Sequence, residues 1–228
     1  MCGRTALTAK PEDLREIFGL TEEPRIVPHY NVTPSQPLAV VRVVRGATGR
    51  TLESLRWGLV PFWADDPKMG HKLALARVET VATSPAFRDA VRKHRCLVVV
   101  DGFYEWKRDG NGKTSQPFLI REGNGHPFAL GGVWSTCTTK DGEVVDSVAI
   151  LTCPPRPPVD TIHDRMPLVI PRDGYTRWLR PDADVVDLLT PSESDLVAIP
   201  VSTLVNSPNN DDPRCIEPAP VMQPTLFG

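Results

Sequence analysis

The chain has 228 residues, 40% of them hydrophobic and 24% charged, the profile of a soluble globular domain with a substantial core. A formal net charge of −2 at pH 7 excludes attraction of nucleic acid by the whole surface, so any face that binds a polyanion must be local. No apolar run approaches the ~18 residues of a membrane helix, and Arg4, Lys10, Glu12 and Asp13 interrupt any signal-peptide core, so a cytoplasmic protein off the membrane is expected.

Proline, at 24 residues, is about twice as frequent as usual, which excludes a long helical bundle and calls for short elements joined by stiff turns. Pro11 to Phe18 is predicted as a helix ended by Gly19, with Leu14, Ile17 and Phe18 on one face. A loop carrying His29, Tyr30, Asn31 and Pro34 leads to a strand at Leu38 to Val44. Gly46 to Gly49 turns this strand into a partner from Thr51 to Leu59. Phe62 and Trp63 lie between prolines in a loop, and Ser84-Pro85 opens a helix whose Arg88, Arg92, Lys93, His94 and Arg95 read as a solvated basic face.

The second half reads as a meander. Cys96 to Val100 is a buried type of strand, and Asp109-Gly110-Asn111-Gly112 marks a hairpin turn. Strands are predicted at Pro117 to Arg121, Phe128 to Cys137 and Val144 to Leu151, then an apolar strand to Ile170, small helices near Tyr175 to Leu179 and Val185 to Leu189, and a last strand at Val197 to Val205. The expected fold is a single α+β domain over 1–228, with a mostly antiparallel sheet or barrel, a few peripheral helices and an irregular tail from about 207.

Five scattered cysteines with no Cys-x-x-Cys predict neither a disulfide framework nor a metal site, and no cofactor is expected. One of them, Cys2, is chemically distinct. If Met1 is removed, it carries an amine of pKa about 7.7–8.0 beside a thiol of about 8.5. A 1,2-aminothiol condenses with an aldehyde: the amine forms an imine, and the thiolate closes on the same carbon as a thiazolidine. A retained Met1 makes that nitrogen a peptide nitrogen and abolishes the pair. By position alone, Cys2 reads equally as a chance residue at a frayed end.

Six phrases occur in order: Cys2-Gly3-Arg4, Tyr30-Asn31-Val32-Thr33-Pro34, Arg56-Trp57-Gly58-Leu59-Val60-Pro61, Ala76-Arg77-Val78-Glu79-Thr80, Gly102-Phe103-Tyr104-Glu105-Trp106-Lys107 and Ile162-His163-Asp164-Arg165-Met166-Pro167. Together they resemble the SRAP family of SOS-response-associated, abasic-site processing proteins over almost the whole chain. The resemblance implies a β-rich domain that binds single-stranded DNA, at or away from duplex junctions, and crosslinks to abasic sites through Cys2 in the DNA damage response. It also implies weak lyase activity and a monomer.

In that resemblance Glu105 moves protons during imine formation, its pKa raised by burial among Phe103, Tyr104 and Trp106. His163 assists ring opening and β-elimination. Arg4 and Arg77 hold phosphates, Pro34, Phe62 and Trp63 wedge against bases, and Thr152 places a hydroxyl near the crosslink. Taken singly, Glu105 reads as a surface strand glutamate, His163 as structural, and Phe62 as ordinary packing. Leu75 departs from the family's Asn-Ala-Arg, removing an amide beside the trapped sugar and predicting a slower or less stable adduct. Two other readings use the same residues: a thiol peptidase or autopeptidase acting through Cys2, and a non-covalent single-strand binding module.

Overall fold

The alternation of apolar runs with turn residues resolves into thirteen strands and three α-helices among the described residues. The computed structural model describes residues 3–43, 49–108, 114–191 and 195–219. The predicted turns at Gly46 to Gly49 and at Asp109 to Gly112 fall wholly or largely outside those residues, as do Cys2 and the end of the tail.

One set of strands closes on itself. β3 (Pro37–Arg42) pairs antiparallel with β4 (Thr51–Trp57) and with β6 (Arg95–Val100), and β6 pairs with β9 (Phe128–Thr138). In turn β9 pairs with β10 (Val144–Cys153), which returns to β4 in parallel. This ring is a five-stranded barrel, and closure leaves its wall without a free edge. All six residues of β6 are buried, Cys96 to Val100 as their unbroken apolar run requires. Trp57, Trp178, Phe18 and Phe128 fill the core, where α1 (Pro11–Phe18) and α3 (Tyr175–Leu179) stack Phe18 on Tyr175 with ring centroids 5.5 Å apart. Gly19 ends α1 in a left-handed conformation at φ 61°, and its N–H caps the last turn.

The second sheet runs β13 (Leu196–Pro200), β8 (Thr114–Glu122), β7 (Gly102–Arg108), β1 (Thr5–Leu7), β2 (His29–Val32). The chain crosses from barrel to sheet at Asp101-Gly102. Asp101 Oδ2 accepts hydrogen bonds from the Thr8 N–H at 2.5 Å and the Thr8 hydroxyl at 2.7 Å. A Cβ at Gly102 would sit 2.7 Å from the Ile120 carbonyl oxygen, so the corner requires glycine. Short strands complete the barrel rim: β5 (Leu75–Arg77) lies parallel to β10, β11 (Met166–Pro167) pairs with β10, and β12 (Val169–Ile170) pairs with β9.

The structure corrects several expectations. The stretch His29 to Val32 is a strand, not a loop, because β1 pairs with it across the sheet. The β5 strand was not predicted, since three residues give no periodicity. The helix expected at Ser84 starts at Arg88, after a turn in which the N–H groups of Phe87 and Arg88 both donate to the Ser84 carbonyl. The last strand ends at Pro200, and Ser202 caps a 3-10 turn at Thr203–Asn206. Arg95 is not solvated: it is buried over Trp178, donating to the carbonyls of Trp178, Val91, Arg180 and Ala183.

Candidate active site at the junction of barrel and sheet

On β7 the two-residue period puts Phe103 in the barrel core, while Tyr104 and Trp106 join a separate cluster with Val201, Val205 and Cys215 on the opposite face. Glu105 therefore shares the Phe103 face, and Tyr104 and Trp106 do not enclose it. It is 1% exposed, and burial pushes its carboxyl up to about 7. Facing it, His163 Nε2 stands 4.0 Å from Glu105 Oε2.

His163 follows the 3-10 turn at Val159–Thr161 and donates its N–H to the Val159 carbonyl at 2.9 Å. Its Nδ1 is 3.0 Å from the Arg165 N–H, 3.1 Å from the Arg165 carbonyl oxygen and 3.0 Å from Asp164 Oδ1. A neutral ring accepts the N–H there and carries its proton on Nε2, toward Glu105. An imidazolium instead donates from Nδ1 to either oxygen. Both protonation states find partners, which suits a group that exchanges protons.

The loop holding this histidine is fastened by a residue to which the sequence assigned no role. Arg165 makes a two-pronged pair with Glu79 at 2.5 and 3.0 Å and donates to the Thr152 carbonyl at 2.6 Å and, more weakly, to its hydroxyl at 3.3 Å. Thr152 is buried, and its hydroxyl also lies 3.4 Å from the Ala76 carbonyl. In the register of β10 with β5, Thr152 pairs with Arg77 and Ile150 with Leu75. Arg77 is exposed, and its guanidinium has no hydrogen-bond partner among the described residues. Leu75 is half-buried and packs against the barrel core.

The N-terminal strand reaches the same place. The Tyr104 N–H donates to the Arg4 carbonyl at 3.0 Å, and Thr5 pairs with Phe103.

Arg4 itself is arranged differently from an open phosphate clamp. It donates to Asn31 Oδ1 at 2.7 Å, to the Val205 carbonyl, and to the Asn206 carbonyl at 3.2 Å, and it lies 5.7 Å over Trp106. Buried Asn31 is the hub, its amide donating to the carbonyls of Val205, Ser207 and Asn210 at 3.3, 3.0 and 2.7 Å. Asp211 secures the strap by accepting from the Tyr30 and Asn31 N–H groups at 2.5 and 3.1 Å.

Phe62 and Trp63, on a turn closed by the Ala64 N–H and the Pro61 carbonyl, are 62% and 49% exposed, which rules out the packing alternative for Phe62. Pro34 is half-buried in the turn between β2 and β3. Arg165, Glu79 and Asn31 all lie in the quoted phrases, but nothing in their spacing distinguished them from their neighbours.

At the junction of barrel and sheet a buried carboxyl faces an imidazole, with β1 running alongside. The chain belongs to the SOS response associated peptidase (SRAP) family, whose profile matches residues 1–208. It is 37% identical over 225 residues to the abasic site processing protein YoqW of Bacillus subtilis, covering 95% of this chain and 99% of that one. It is 32% identical over 264 residues to the abasic site processing protein HMCES of Gallus gallus, covering 96% and 78%. A crystal structure of a protein from Bacteroides thetaiotaomicron superposes with a TM-score of 0.83 at 22% identity, over 96% of this chain and all of that one, a likeness of fold.

Proposed function

We propose that this chain processes abasic sites in single-stranded DNA by capturing the ring-opened sugar through Cys2. The observation that carries the reading is the Glu105 carboxyl, 1% exposed and facing His163 at 4.0 Å, beside the N-terminal strand β1, which Gly3 and Arg4 precede. Relatives named as abasic site processing proteins support the substrate class.

In this reading Met1 is removed and the Cys2 amine attacks the C1′ aldehyde, giving a carbinolamine. Glu105, with a pKa of about 7, takes the proton that the attacking nitrogen loses and returns it to the departing hydroxyl. Water leaves and an imine remains. The thiolate then adds to the imine carbon, the nitrogen is reprotonated, and the net change is loss of one water. His163, with Nε2 toward the carboxyl, delivers a proton to the ring oxygen as the sugar opens. Its removal of a C2′ proton from the imine would give β-elimination, the weak lyase branch. Arg77 holds a backbone phosphate, while Phe62, Trp63 and Pro34 stack or wedge on bases. The protein acts as a monomer in the cytoplasm, on single strands or at their junctions with duplex.

Intact-protein mass after incubation with a single-stranded oligonucleotide bearing one abasic site tests this. The expected species has the mass of protein lacking Met1 plus DNA minus water, survives denaturant, and is absent from Cys2→Ala. Unmodified protein lacking Met1 would sink the proposal.

A further inference from the structure

Away from Glu105, three donor side chains from three segments converge at the surface beside Pro34. Ser35 Oγ lies 2.7 Å from His71 Nδ1, and Arg56 Nη2 lies 3.4 Å from His71 Nε2. Ser35 belongs to the turn between β2 and β3, Arg56 to the end of β4, and His71 to the 3-10 turn at Pro67–Lys72. Among the described residues Arg56 has no carboxylate partner. We infer that Ser35, Arg56 and His71 form a phosphate-binding site for a backbone phosphate of the bound single strand, next to the base wedged by Pro34.

The backbone holds this cluster at a cost that packing alone does not require. Ser35 has φ 78°, the only non-glycine residue with positive φ among those described, and its N–H is tied to the Trp57 carbonyl at 2.7 Å. Behind the cluster, Gly58 and Gly70 cross so closely that a Cβ on either would sit 2.5 Å from the other's carbonyl oxygen. That crossing seats the His71 segment against the end of β4.

The hydrogen bonds have a direction. With His71 neutral, Arg56 donates to Nε2, Nδ1–H donates to Ser35 Oγ, and the serine hydroxyl proton is left to donate outward beside the remaining guanidinium N–H groups. Donors alone face the ligand, which suits a tetrahedral oxyanion. Exposed Lys68 and Lys72 on the same 3-10 turn add positive charge. A serine nucleophile activated by His71 is disfavoured, because the group behind the imidazole is a guanidinium, where a carboxylate would be needed.

This inference rests on the single-strand reading above, and the test separates the two. Wild-type protein, Arg56→Gln and His71→Ala are titrated with a single-stranded oligonucleotide carrying a tetrahydrofuran abasic analogue, which has no aldehyde and cannot crosslink. Titrations run across a salt series and a scan of single neutral methylphosphonate linkages. Each variant is expected to bind about threefold to tenfold more weakly at low salt, and for Arg56→Gln, which removes the cation, the slope of log affinity against log salt should be smaller by about 0.7, the value of one single-strand phosphate. One neutral linkage should weaken wild-type binding equally and add nothing to Arg56→Gln. An unchanged slope for Arg56→Gln, or losses that add at every linkage, would overturn the site and leave the single-strand reading standing. Failure of wild-type protein to bind the strand at all would overturn both. His71 is exposed, so its variant keeps the test valid if Arg56→Gln does not fold.

Discussion

Glu105 and His163 face each other at 4.0 Å across the gap between sheet and barrel, with the carboxyl almost wholly excluded from water. The folded protein therefore holds a carboxylic acid that is half ionised near neutrality, about 7, where an unfolded glutamate titrates near 4.3. Between those values the native state binds the extra proton, so stability falls as pH rises from about 4 to 7 and levels off above. Glu105→Gln should flatten that profile and raise stability at pH 8 by roughly 3–4 kcal/mol, while slowing adduct formation about 100-fold. Urea unfolding at pH 5.5, 7 and 8.5, with a crosslinking time course, measures both; a variant less stable at pH 8 would contradict the account.

Leu75→Asn should act in the opposite sense. Leu75 packs partly into the barrel core, so exchanging it for an amide should lower stability by about 1–2 kcal/mol. The restored hydrogen-bonding group should speed crosslinking or lengthen the life of the adduct. Unchanged rate and lifetime would remove Leu75 from the chemistry.

Asn31→Ala removes the donor shared by three carbonyls and the acceptor for Arg4. Leaving those groups buried without it should cost about 2–3 kcal/mol. The strand Thr5–Leu7 should also lose its register, so crosslinking should fall even where the protein remains folded. Thermal melting and amide exchange across Thr5–Leu7 would show it.

Glu79→Gln should leave the melting temperature within a few degrees, because the Glu79 side chain is 44% exposed. It should nevertheless slow crosslinking about tenfold by loosening the Arg165 anchor behind His163. The decisive readout is the pH–rate profile: the basic-side or acidic-side limb attributable to His163 should shift, whereas a purely structural role would scale all rates equally.

Much of this was legible in the sequence because the signals were local. The run at Cys96 to Val100 dictated a buried strand, Pro11 and Gly19 bounded a helix, and the aromatic setting of Glu105 foretold a raised pKa. The reason given was only partly right: alternation turns Tyr104 and Trp106 to the other face, and burial comes from the apposition of sheet and barrel. What stayed hidden was pairing at long range. No periodicity marks three-residue strands such as Leu75–Arg77, and nothing in one sequence says that β10 runs parallel to both β4 and β5. Arg4 is expected from the resemblance to hold a phosphate, and nothing local shows that two of its acceptors, the Val205 and Asn206 carbonyls, lie some 200 residues along the chain.

That separation also orders events during synthesis. Contacts between Arg4 and the carbonyls of Val205 and Asn206 cannot form until those residues have left the ribosome. At ~5–20 residues per second the start of the chain waits roughly 10–40 s. Throughout that interval Gly3 and Arg4 lack the contacts that will hold them. The late contact thus sets a window in which the start of the chain is accessible before Arg4 is tied down.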